Sequence, residues 1–214
     1  MIVAVDGPAA SGKGTLARRL AAHFGLAYLD TGMLYRAAAL KALAAGDPHD
    51  PDVAAAAARA VTVEDIADPR LRDERVAEAA SIVAAIPAVR QVLLALQRGF
   101  AHRPPGGARG AVLDGRDIGT VICPEADAKL FLTADLDARA ARRFKELQGG
   151  DSGVIYGRVL QDMKARDARD SGRAAAPLKR AGDALVLDTT ALDAEAAYAA
   201  AVDFIARKLE SPRG

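Results

Sequence analysis

The sequence of 214 residues contains one cysteine, no tryptophan and no asparagine. A lone Cys123 rules out an internal disulfide framework and speaks against a thiolate zinc site, which suits a reducing cytoplasm. His23, His49 and His102 lack metal-ligand spacing and read as surface residues. No apolar run approaches the roughly 18 residues that a membrane span needs. Residues 2–5, the apolar stretch before Asp6, are far too short for a secretory leader. Neither sign of charge is in excess, since 29 Lys and Arg against 28 Asp and Glu leave +1. Bulk attraction to nucleic acid or to an anionic membrane is therefore not expected, and anion recognition must come from a few placed arginines. What is present is 51% hydrophobic and 27% charged residues, enough to bury the core of one domain over residues 1–214.

Five short apolar runs carry strand signatures: residues 2–5, 27–29, 111–114, 129–132 and 184–188. Helical patterns lie between them, at 13–24, from 31 to about 45, at 135–147, 152–171 and 193–209. Strands alternating with helices predict an α/β fold around a parallel sheet. Residues 53–103 break that rhythm. They read mostly as helix, with a brief strand-like Val61-Thr62-Val63, and are too long for a simple crossover. They predict an inserted substrate sub-domain, placed at about 31–105. Alanine is abundant, and its excess carries no functional reading.

The first strand runs into Gly7-Pro8-Ala9-Ala10-Ser11-Gly12-Lys13-Gly14-Thr15, then into helix. This is G-x4-G-K in a strand, loop, helix context, a phosphate-binding loop. Glycines let the backbone approach an anion, the helix N-terminus adds partial positive charge, and Lys13 reaches the β- and γ-phosphates. Thr15 stands one place beyond the usual hydroxyl position, near the expected Mg2+, which ATP phosphates and water would hold without a protein metal site. The guanine-reading Asn-Lys-x-Asp motif of switch GTPases is impossible in a chain without asparagine.

Gly-Lys-Gly-Thr followed by Leu29-Asp30-Thr31-Gly32-Met33-Leu34-Tyr35-Arg36 resembles the nucleoside monophosphate kinases. Three further segments resemble bacterial cytidylate kinases in particular: Glu78 to Arg90 with Ser81 and Pro87, Asp114-Gly115-Arg116-Asp117-Ile118-Gly119, and Arg166 to Pro177 with Arg169, Asp170 and Arg173. A closing Asp188-Thr189-Thr190 also fits. The resemblance implies a three-layer P-loop fold with five parallel strands, a mostly helical substrate-binding sub-domain and a short lid at about 148–165. It implies a monomer that uses ATP and Mg2+ to phosphorylate CMP and dCMP. It assigns Ser81, Arg90, Arg116, Asp117 and Asp170 to the monophosphate, with Asp and Ser reading the cytosine edge and Arg the phosphate. Thr31 keeps a hydroxyl where serine is also common in the family, and Arg142 is the arginine expected to reach ATP.

The residues also carry their own physics. Arg36 follows a small loop by about one helical turn and would face a phosphate bound there. Arg116-Asp117 stands just past the third strand's carboxyl end, where open α/β sheets hold ligands, although a structural ion pair has the same signature. Arg166, Arg169, Asp170 and Arg173 fall at i, i+3, i+4 and i+7, one helix face. Such clustered cations suit a transferring phosphoryl group, and a solvated face with Asp partners shows the same spacing. The expected chemistry is in-line transfer, with Lys13 and the arginines at 36, 90, 116, 166, 169 and 173 supplying charge. One departure stands out: only residues 61–75 occupy the place where many cytidylate kinases insert a β-hairpin, so this sub-domain should be smaller and more helical.

Overall fold

The computed structural model describes residues 1–149, 153–173 and 175–210. Five strands form one sheet among these residues: β1 (Ile2–Asp6), β2 (Ala27–Asp30), β3 (Ala111–Gly115), β4 (Ala128–Thr133) and β5 (Leu185–Asp188). All pairings are parallel, in the order β2-β3-β1-β4-β5. Parallel strands are buried on both faces, which explains why each reads as a continuous apolar run. Side-chain alternation divides β1 between the layers. Ala4 faces the cluster that holds Leu29, Leu34, Leu93 and Leu113, while Val3 and Val5 face Leu16, Leu20, Leu130 and Ile205. The fold is α/β and three-layered.

The second of those faces is covered by α1 (Lys13–Phe24) and α8 (Ala194–Glu210). The first is covered by α2 (Thr31–Ala45), α3 (Pro51–Arg59), α4 (Glu74–Val83) and α5 (Pro87–His102). Short polar caps delimit this helical block. Asp50 accepts from the amides of Asp52 and Val53, and Asp73 from that of Arg75, while prolines open α3 and α5. The alanine excess is spent here on packing. Ala37, Ala38, Ala39, Ala54, Ala58, Ala79 and Ala80 are all buried in one cluster, where small side chains let helices approach closely. Helices α6 (Leu136–Gln148) and α7 (Tyr156–Gly172) share a small cluster of Ala140, Val159 and Met163. No single helix among the described residues is long and apolar enough to cross a membrane.

Two expectations need correction. Val61-Thr62-Val63 is not a strand: the Val61 amide closes onto Ala58, and Val63 leads into a single tight turn over Glu64–Ala67. Its apolar alternation serves to drop Val61 and Val63 against the core, with no neighbouring strand to pair. The helix expected from 152 begins instead at Tyr156, because Ile155 is extended (φ −109°, ψ 121°). Of the anticipated lid at 148–165, residues 150–152 lie outside the described residues; the remainder is a short connection and the first turns of α7.

Candidate active site

β1 is central, with β2 and β3 on one side and the later β4 and β5 on the other, so its carboxyl end is the switch point at which open α/β sheets bind ligands. The loop 7–12 emerges there. Gly7 has φ 154°, and a Cβ on it would lie 2.2 Å from the Leu132 carbonyl oxygen, so no larger residue fits. Gly12 takes φ 85° as it turns the chain into α1, and the buried Ser11 hydroxyl donates to the Pro8 carbonyl at 3.0 Å. Backbone and helix end thus form an anion cradle. Lys13 opens α1, and its Nζ lies 3.6 Å from Oδ1 of Asp114 at the end of β3. Burial, then Arg116, lowers the Lys13 pKa; burial raises that of Asp114 against the pull of Lys13.

Two cavities lie near this lysine: its neighbour Gly12 edges the first, and Gly115, next to its partner Asp114, lines the second. The first, about 290 Å3, is walled by Leu16, Leu132, Leu192 and Ala197 and edged by Ser11, Gly12, Thr15, Arg19, Arg142 and Thr189. Arg142 Nη1 lies 3.1 Å from Thr189 Oγ1 and its other terminal nitrogen donates to the Thr189 carbonyl. The Thr189 hydroxyl in turn donates to the Ser11 carbonyl at 3.0 Å, which ties Arg142 to the phosphate loop. Thr15 is exposed on this rim. Gly14, at the usual hydroxyl position, is the residue whose added Cβ would face Asp114, 3.1 Å from Oδ2.

The second cavity is about 50 Å3 and is lined by Thr31, Tyr35, Ser81, Arg90, Arg116, Asp117, Arg166, Asp170 and Arg173. Eight of the residues singled out in the sequence therefore meet at one place, although α2, α4, α5, α7 and the β3 loop each supply some of them. Asp170, 2% exposed, receives Arg116 Nε at 2.9 Å on one oxygen and Arg173 on the other. Burial pushes the Asp170 pKa up, but Arg116, Arg173 and Arg166 together outweigh it and hold it below the usual range. Arg90 pairs with Asp117, both buried, and lies over the Tyr35 ring at 5.7 Å. Arg166 has an enclosed Nε without a hydrogen-bond partner among the described residues. Burial first, then Arg116, brings its pKa down to about 10. A half-buried cation so placed fits an anion that arrives from outside.

Two expected residues sit at the edge. Arg36 donates to the Leu71 carbonyl at 2.6 Å, alongside the cavity and not on its wall. Arg169 is exposed and its Nε meets the Ser81 hydroxyl at 2.9 Å, which links α7 to α4. Arg143 of α6 also reaches α4, pairing with Glu74 at its start. Sequence reasoning missed Asp6, Asp114, Arg139 and Thr189 as contributors. Arg139 is buried, with Nη1 3.3 Å from the Ala9 carbonyl and Nη2 on Asp167 at 2.6 Å, bracing the loop against α7. Asp114 and Thr189 stood inside quoted motifs; Arg139 had no local signal in an arginine-rich helix.

The chain matches the family model described as cytidylate kinase over residues 3–207. A cytidylate kinase from Rhodospirillum rubrum is 57% identical over 209 residues, covering 97% of this chain and 98% of that protein. One from Paramagnetospirillum magneticum is 59% identical over 208 residues, with the same coverage. Among solved structures, an uncharacterized protein from Eubacterium ventriosum shares the fold at TM-score 0.54 and 16% identity, covering 96% of this chain and 98% of that one. With the phosphate loop, the arginine-lined cavity and this likeness along nearly its whole length, the chain belongs to the cytidylate kinase family.

Proposed function

We propose that the chain transfers the γ-phosphoryl group of ATP to CMP and dCMP. One observation carries this reading: Gly12, which precedes Lys13, edges an apolar cavity, while Asp114, which Lys13 meets, directly precedes Gly115 on the wall of a cavity lined by paired arginines and carboxylates. The first suits a purine on an apolar floor, with Arg142 beside it and residues 7–15 around the phosphates. The second suits a nucleoside monophosphate. Arg116 and Arg166 face its phosphate, aided by Arg36, Arg169 and Arg173, while Ser81, Arg90, Asp117 and Asp170 read the nucleoside and Thr31 borders it.

The acceptor phosphate oxygen is already anionic near neutral pH, so no strong general base is required. Catalysis is positioning, charge stabilisation and exclusion of water. Lys13 and Arg166 lie within each other's field, and both would gather around the group in transit. Among the described residues no three His, Cys, Asp or Glu side chains converge as a metal site. Mg2+ brought by the donor phosphates would have Asp114 and Thr15 near it and would neutralise charge on the transferred group. Residues 31–105 act as the acceptor sub-domain and 148–165 as a lid, in a cytoplasmic monomer. Turnover of CMP, dCMP, UMP and AMP with Mg-ATP tests the reading. CMP and dCMP should be preferred at least tenfold in kcat/KM, and equal turnover of all four would remove the cytosine assignment.

A further inference from the structure

Asp6 ends β1 immediately before Gly7 and is 4% exposed. Its Oδ1 accepts the Ile118 amide and its Oδ2 the Gly119 amide, each at 2.8 Å. These amides directly follow Arg116 and Asp117 and open a wide helical turn, Ile118–Ile122, whose first N–H groups have no partner within the turn itself. The turn is closed from behind by the Asp117 carbonyl, which accepts from Val121 and Ile122. Packing is tight here: a Cβ on Gly119 would lie 3.1 Å from Lys129 and 3.4 Å from Asp6 Oδ2.

We infer that Asp6 is a positioning residue that fixes the backbone behind Arg116 and Asp117, and so holds the acceptor-reading loop in register with the phosphate loop that begins at the next residue. The inference rests on the roles given above to Arg116 and Asp117. It links the two ligands: Asp6 touches neither, yet moving either loop moves its neighbour through one carboxylate. Such a bond pattern requires two acceptor oxygens, which ionised aspartate has and asparagine lacks. Asp114 on β3 and Asp117 on the loop face Asp6 as carboxylates. Cys123 closes the same turn, and Lys129 of β4 passes nearby with its ammonium on Asp183. Burial, only partly offset by the two amides, raises the Asp6 pKa to about 7. Protonation converts one acceptor to a donor, so the grip loosens as pH falls through neutrality.

The test compares D6N with R116A and wild type. D6N turns one acceptor into a donor facing the Gly119 N–H, and should raise KM for CMP about tenfold while KM for ATP moves less than twofold. The rise in CMP KM between pH 8 and 6 should be steeper in wild type than in D6N, since titration of CMP's own phosphate is common to both. In 15N-labelled wild type, the Ile118 and Gly119 amide protons should shift together in a titration from pH 4 to 8, with a midpoint near 7. Unchanged CMP KM in D6N alongside a damaged R116A would overturn the inference while leaving the acceptor site intact. Unchanged CMP KM in R116A would instead overturn the site reading. Should D6N fail to fold, hydrogen exchange in the wild type decides: the Ile118 and Gly119 amides should be protected at pH 8, and freely exchanging amides would end the proposal.

Discussion

The two cavities near Lys13 are built on opposite principles. The first is open, about 290 Å3, with apolar walls and an anion cradle made from consecutive backbone groups. The second is about 50 Å3, and its arginines already reach across it to Asp170 and Asp117. A ligand entering the first meets a preformed surface. One entering the second must offer better partners than those the side chains already have, or leave buried charges unpaired. Selectivity therefore belongs to the crowded side, where a wrong base is rejected by what it fails to satisfy.

That contrast breaks most sharply at Lys13, which lies near both. Lys13→Ala should lower kcat by about a thousandfold or more, read by coupled assay, with the circular dichroism melt little changed. Wild-type turnover would remove Lys13 from the chemistry. Arg166→Ala removes the cation whose Nε has no hydrogen-bond partner among the described residues, and kcat should fall about a hundredfold with a smaller change in KM. A pure KM effect would make it a binding residue only. Asp117→Asn deprives the buried Arg90 of its counter-charge. It should raise KM for CMP about tenfold and narrow the gap between CMP and UMP, whereas an unchanged ratio would take base reading away from this pair. On the open side, Arg142→Ala should raise KM for ATP only threefold to fivefold and leave CMP unaffected, because apolar walls and backbone carry most of that site. A larger effect than that of Asp117→Asn would invert the comparison.

The same division governed what the sequence disclosed. A phosphate held by successive amides demands a contiguous motif, so residues 7–15 could be read directly. The five strands were legible because burial on both faces leaves uninterrupted apolar runs. The acceptor residues could be gathered but not paired. Arg116 meets Asp170 across 54 positions and Arg169 meets Ser81 across 88, distances that no local pattern encodes. Arg139 looks like Arg142 and Arg143 until the fold buries it beneath the loop. Asp6 had a signal of its own, a carboxylate closing an apolar strand just before glycine, but the amides that explain it lie more than a hundred residues away. Val61-Thr62-Val63 misled in the other direction, since alternation without a partner strand is only two side chains seeking cover.

The alanine-lined contacts of α2, α3 and α4 have a mechanical consequence. Methyl groups present shallow ridges, and helices meeting through them have few long side chains to unseat before one slides along another. An interface of this kind shears cheaply. It would allow the wall that carries Ser81 to retreat by small steps while the sheet and its phosphate loop stay still.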